Sequence, residues 1–128
     1  MPDGFKVSGK IWKIRKVLYR LRKSRQLWQR DLKTTLIKFG LLPVPEEECL
    51  FSNKYMIVLV YINDIIIANL PTPAAREAAK CFKDELAKRY ELWHMGEVGW
   101  FLGVRVLRDR PNKKLWLCQD SYIKHLAA

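Results

Sequence analysis

Between residues 56 and 69 the apolar positions fall in two β-branched runs, residues 56–62 and 65–68, separated by the polar pair Asn63-Asp64. Each run has the length and composition of a strand. A two-residue polar break between such runs predicts a hairpin with Asn63-Asp64 as its turn and the Asp64 carboxylate at its tip. The stretch is too short and too interrupted to span a bilayer. Asn-Asp there is either ordinary turn chemistry or the seat of a metal-binding acid, and the pattern of the two runs does not choose between them.

A helical period dominates the N-terminal third. Ile14, Val17, Leu18 and Leu21 share one face from Lys13 onward, and Trp28, Leu32, Leu36 and Phe39 continue at the same spacing. Gly40 is a natural C-terminal stop. Lys13, Lys16, Arg20 and Lys23 form a separate stripe, with Arg15, Arg22 and Arg25 beside it. Pro43 and Pro45 predict a loop over residues 41–48, where Glu46, Glu47 and Glu48 read as a solvated acidic turn. Cys49-Leu50-Phe51 is a short strand candidate, and Ser52-Asn53-Lys54 turns the chain into the hairpin.

After Asn69, Thr72 can cap a helix and Pro73 suits its first position. Ala75, Ala79, Phe82, Leu86 and Tyr90 make its buried stripe, while Lys80–Asp84, Asp84–Lys88 and Glu85–Arg89 are spaced for ion pairs on the exposed side. A helix of this kind packed against a hairpin predicts a βαβ-like alternation in an α+β sandwich. Residues 96–103 are rich in glycine and aromatics. Val104 to Leu107 and Leu115 to Leu117 then form a second hairpin around a turn with Pro111 and Asn112. A helix from Tyr122 to Leu126 begins just before the sequence stops.

Composition sharpens this picture in two places. A length of 128 residues with 49% hydrophobic and 29% charged positions fits one globular domain rather than a disordered chain. The net charge of +11 is uneven: residues 1–45 hold 12 Lys/Arg and two acids, whereas residues 46–128 hold 12 Lys/Arg and 11 acids. A basic third beside a nearly neutral remainder points to a polyanion such as nucleic acid. The three dispersed cysteines, Cys49, Cys81 and Cys118, suit reduced thiols better than a disulfide frame. His94 and His125 stand alone. With no signal-peptide pattern at the N-terminus, an intracellular location, cytoplasmic or nuclear, and no membrane association are expected.

Several blocks, in order, resemble the reverse transcriptase of copia-type retrotransposons. Residues 1–5, Met-Pro-Asp-Gly-Phe, are similar to the family's Met-Pro-Pro-Gly-Phe. Residues 18–28, from Leu18-Tyr19-Arg20 to Leu27-Trp28, resemble its Leu-Tyr-Gly-Leu…Ser-Pro…Trp block. Tyr61-Ile62-Asn63-Asp64 takes the place of Tyr-Val-Asp-Asp. Gly96-Glu97, Trp100-Phe101-Leu102-Gly103 and Gln119-Asp120-Ser121-Tyr122-Ile123 resemble later blocks. The resemblance implies an α+β fold: a palm-like antiparallel sheet backed by helices and truncated at both ends. Residues 1–108 would be a partial palm, and residues 109–128 the second strand of the last hairpin and the start of a thumb-like helix.

It also implies an RNA-directed DNA polymerase that takes an RNA or DNA template-primer and deoxynucleoside triphosphates, as part of a retrotransposon polyprotein. Such chemistry uses two Mg²⁺ ions about 4 Å apart, held by carboxylates and substrate phosphates. The family supplies one aspartate from an upstream strand and two from the hairpin. Here the upstream strand is expected to be absent, Asn63 replaces the first hairpin aspartate, and Asp64 is the remaining carboxylate and metal ligand, with Tyr61 beside it. Arg20 and Arg25 stand where the family has Gly and Pro. The expectation is a catalytically inactive fragment, a pseudoenzyme with doubtful Mg²⁺ binding. The alternative is a non-specific nucleic-acid-binding remnant using Lys13, Lys16, Arg20, Arg22, Lys23 and Arg25.

Overall fold

The computed structural model describes residues 23–62 and 64–128. The expected basic helix from Lys13 to Arg22 therefore lies outside the described residues. The chain divides into two units, residues 1–82 and 83–128, with the boundary inside a helix.

The first unit opens with helix α1, Ser24–Lys38. Leu32 and Leu36 are fully buried, as their spacing predicts, and Phe39 follows directly after the helix. Gly40 ends it at φ +79°, the left-handed conformation that costs glycine least. Its N–H donates to the Ile37 carbonyl at 3.0 Å and that of Leu41 to the Leu36 carbonyl at 3.1 Å, a Schellman cap.

Four antiparallel strands follow as a meander: β1 Leu42–Val44, β2 Glu47–Ser52, β3 Met56–Tyr61 and β4 Asp64–Asn69. The loop expected over residues 41–48 is thus corrected. It contains an edge strand, and β2 starts two residues before Cys49. Pro43 is compatible with this because β1 is an edge strand, Pro45 lies in the turn that follows it, and the register breaks between Pro43 and Val44. Between β2 and β3, Asn53 accepts the backbone N–H groups of Tyr55 at 2.8 Å and Met56 at 3.0 Å, closing the expected turn.

Helix α2, Pro73–Arg89, begins with the predicted cap: Ala75 N–H donates to Thr72 Oγ1 at 3.2 Å. Ala75, Ala79, Phe82 and Leu86 are buried, and Phe82 meets Phe39 edge-on with ring centroids 5.6 Å apart. On the exposed side Lys88 pairs with Glu85, three residues back, at 2.6 Å. A pair this exposed contributes little to stability.

The second unit holds a three-stranded antiparallel sheet, β5 Trp100–Phe101, β6 Val104–Asp109 and β7 Lys114–Cys118, and helix α3, Asp120–Ala127. The predicted second hairpin is β6–β7, and Trp100-Phe101 adds a strand through the Leu102-Gly103 turn, both of whose residues have positive φ. The βαβ-like alternation is corrected as well. β4 and β5 belong to different sheets, so α2 is a connection between two meanders and not a crossover within one sheet. Arg105 pairs with Asp120 at the start of α3 at 3.4 Å, and Glu97 pairs with Arg110. No helix among the described residues is long and apolar enough to cross a membrane.

Candidate nucleic-acid polymerase hairpin

The hairpin β3–β4 is built by register. Val58 pairs with Ile67, Val60 with Ile65, and Tyr61 with Asp64. Period-two alternation sends Met56, Val58 and Val60 to one face with Ile65 and Ile67, and Met56 and Val58 there are buried. Tyr61 and Asp64 occupy the opposite face, with Leu59 and Ile66. Both are exposed, Tyr61 at 38%.

The expected turn is one residue out. Asp64 is the first residue of β4, and the two positions between the strands are 62 and 63. Asn63 itself lies outside the described residues. Apolar matching explains the shift: a turn at residues 63–64 would set Val58 opposite Asn69, whereas the observed register sets it opposite Ile67. Ile62 then occupies the first loop position at φ +54°. Both favoured two-residue hairpin loops require positive φ there, which suits Gly, Asn or Asp and strains a β-branched residue.

A side chain from α1 meets this strained residue. The Trp28 indole N–H donates to the Ile62 carbonyl at 3.0 Å across 34 residues of sequence. The periodicity of α1 marked Trp28 only as part of an apolar stripe. Its place at the end of the Leu-Tyr…Trp block was the one available hint of another role, and neither block nor period names its partner.

Of the basic candidates, Lys13, Lys16, Arg20 and Arg22 lie outside the described residues. Lys23 precedes α1 and Arg25 sits in its first turn, both exposed. Arg25 is three residues before Trp28, so the two are neighbours on the helix surface. Burial pushes the Cys49 thiol up, and the charge and hydrogen bond of Glu47 and the charge of Glu48 add to this, while the nearby Arg25 cation opposes them.

Among the described residues no three His, Cys, Asp or Glu side chains gather into a metal-binding group. The hairpin sequence supplies one carboxylate, Asp64, beside the amide of Asn63. One carboxylate and one neutral amide bring a single negative charge, a poor fit for a pair of Mg²⁺ ions held by carboxylates and substrate phosphates.

The chain is 26% identical over 133 residues, 98% of its length, to the retrovirus-related Pol polyprotein from transposon TNT 1-94 of Nicotiana tabacum. It is 29% identical over 135 residues to that from transposon RE1 of Arabidopsis thaliana, and 27% identical over 134 residues to the putative transposon Ty5-1 protein of Saccharomyces cerevisiae; each match takes in 99% of the chain. The chain spans 10% and 9% of the two polyproteins and 42% of the Ty5-1 protein. No solved structure matches it. The family model for reverse transcriptase (RNA-dependent DNA polymerase) matches residues 1–127, and the chain belongs to that family.

Proposed function

We propose that the chain is the palm segment of a copia-type retrotransposon RNA-directed DNA polymerase, and that alone it does not extend primers. The observation that carries this reading is the β3–β4 hairpin, which holds Tyr61 and Asp64 opposite each other across a two-residue loop. Family membership supplies the class of chemistry, and the residues supply the reason for silence. Asp64 is the one carboxylate of the Tyr-Ile-Asn-Asp motif, against the two aspartates of the family motif. In this reading residues 1–108 are a partial palm and residues 109–128 the last strand and the start of a thumb-like helix. The template-primer and nucleoside triphosphates are partners of the complete polymerase, the remainder of a Pol polyprotein is the covalent context, and the setting is cytoplasmic or nuclear.

The test is primer extension on an RNA template with the isolated 128-residue chain and Mg²⁺. No product is expected. Asn63→Asp restores the second aspartate of the motif and is also expected to give no product from the isolated chain. Robust Mg²⁺-dependent product from the wild-type chain overturns the reading.

A further inference from the structure

We infer that Trp28 is a positioning residue for the Tyr61–Asp64 turn, acting through the Ile62 carbonyl to fix the face of the sheet on which Asp64 stands. The functional meaning of that role rests on the polymerase reading above, but the positioning itself does not.

Ile62 is held at φ +54°, a region that β-branched side chains avoid. Its own side chain has no polar group with which to hold the loop, so the restraint comes from elsewhere in the fold. Indole is a donor only, and its N–H reaches the Ile62 carbonyl at 3.0 Å. The donor is itself well fixed. Trp28 is half-buried on α1, one helical turn before Leu32, which is 1% exposed and anchors the helix in the core. A fixed donor therefore holds the carbonyl of a residue two positions before Asp64.

The consequence follows from the period of a strand. Releasing Ile62 toward the extended region removes the geometry of the two-residue loop, and the pairing can then slip by one residue. A one-residue slip carries every side chain of the slipped strand to the opposite face. Asp64, now on the exposed face with Tyr61, would exchange places with the apolar set. By holding one carbonyl, Trp28 ties the face of the carboxylate to the position of α1, the helix whose first turn carries Arg25.

The test uses the 128-residue chain, without nucleic acid or metal, so that its failure is separate from failure of the polymerase reading. Trp28→Phe keeps an aromatic ring and deletes the donor. Amide hydrogen exchange at residues 61, 64 and 66 is expected to quicken about three- to tenfold, the effect of losing one hydrogen bond. Exchange at Phe51 and Val58, in the middle of the sheet, should not change. Ile62→Gly removes the cost of positive φ, so in that background Trp28→Phe should lose most of its effect, a rescue that a merely space-filling tryptophan would not show. In the wild-type chain the Trp28 indole N–H itself should exchange as slowly as the residue 64 amide, a measurement that needs no variant to fold. An unprotected indole N–H, unchanged exchange in Trp28→Phe, equal quickening across the whole sheet, or no rescue by Ile62→Gly overturns the inference.

Discussion

The Leu41 N–H donates to the Leu36 carbonyl at 3.1 Å, folding the chain back across Gly40 so that both leucines are buried, at 1% and 0% exposure. This backbone link turns the end of α1 into the start of the β1–β4 sheet. It depends on Gly40 at φ +79°, where an added Cβ would meet nothing within 4 Å. Gly40→Ala is therefore a test of backbone conformation without a steric clash. It should destabilise the first unit by about 1–2 kcal/mol, read as a lower urea midpoint with unchanged slope. Gly99→Ala is the control: its φ is ordinary and its Cβ site equally open, so it should be neutral or slightly stabilising.

The β6–β7 loop has its own pH dependence. The Asn112 side chain donates to Asp109 Oδ2 at 2.7 Å and the Asn112 backbone N–H to Oδ1 at 3.2 Å. These bonds, the side-chain one first, hold the Asp109 carboxyl below its usual range. A carboxyl whose pKa is lowered by folding stabilises the fold above its unfolded pKa and loses that contribution as pH falls through the folded value. Order in this loop should therefore persist through neutral and mildly acidic pH and fade below the ordinary carboxylate range. In an NMR titration, Asn112→Ala should move the Asp109 midpoint part of the way back up, since the backbone bond remains.

Charge offers a third measurement. If the basic N-terminal third contacts phosphates, binding of a labelled single strand should fall steeply with salt and depend little on sequence. Replacing Lys23 and Arg25 together by Gln should flatten the plot of log affinity against log salt by about 1.4, the yield of two single-strand phosphate contacts. Fluorescence anisotropy across a salt series checks this. Affinity unchanged from low to high salt would remove nucleic acid as the partner of that surface.

The amino-acid pattern was enough for the end of α1 and for α2 because their information is local. Thr72 and Pro73 mark the start of α2, Gly40 the end of α1, and the spacing of Ala75, Ala79, Phe82 and Leu86 the buried face. The same is true of the family, since the Tyr-Ile-Asn-Asp and Trp-Phe-Leu-Gly blocks in their order lead to reverse transcriptase, to which the chain belongs. Strand partners are not local. The edge strand at Leu42–Val44 was invisible behind two prolines, because whether a missing N–H matters depends on which side of the strand is paired.

The turn shows the division most clearly. Composition alone named a hairpin near Asn63-Asp64. It took cross-strand packing of Val58 on Ile67, and of Val60 on Ile65, to move the loop back one residue and make Asp64 the first residue of a strand. It took a helix residue 34 positions away to meet the Ile62 carbonyl that this shift exposes. Sequence by itself determined helix α2, the two hairpins and the family, because periodicity, caps, turn residues and motif order are written along the chain. Tertiary structure decided the register, the face of Asp64 and the role of Trp28, because each depends on which distant groups share a face and complete one another's hydrogen bonds.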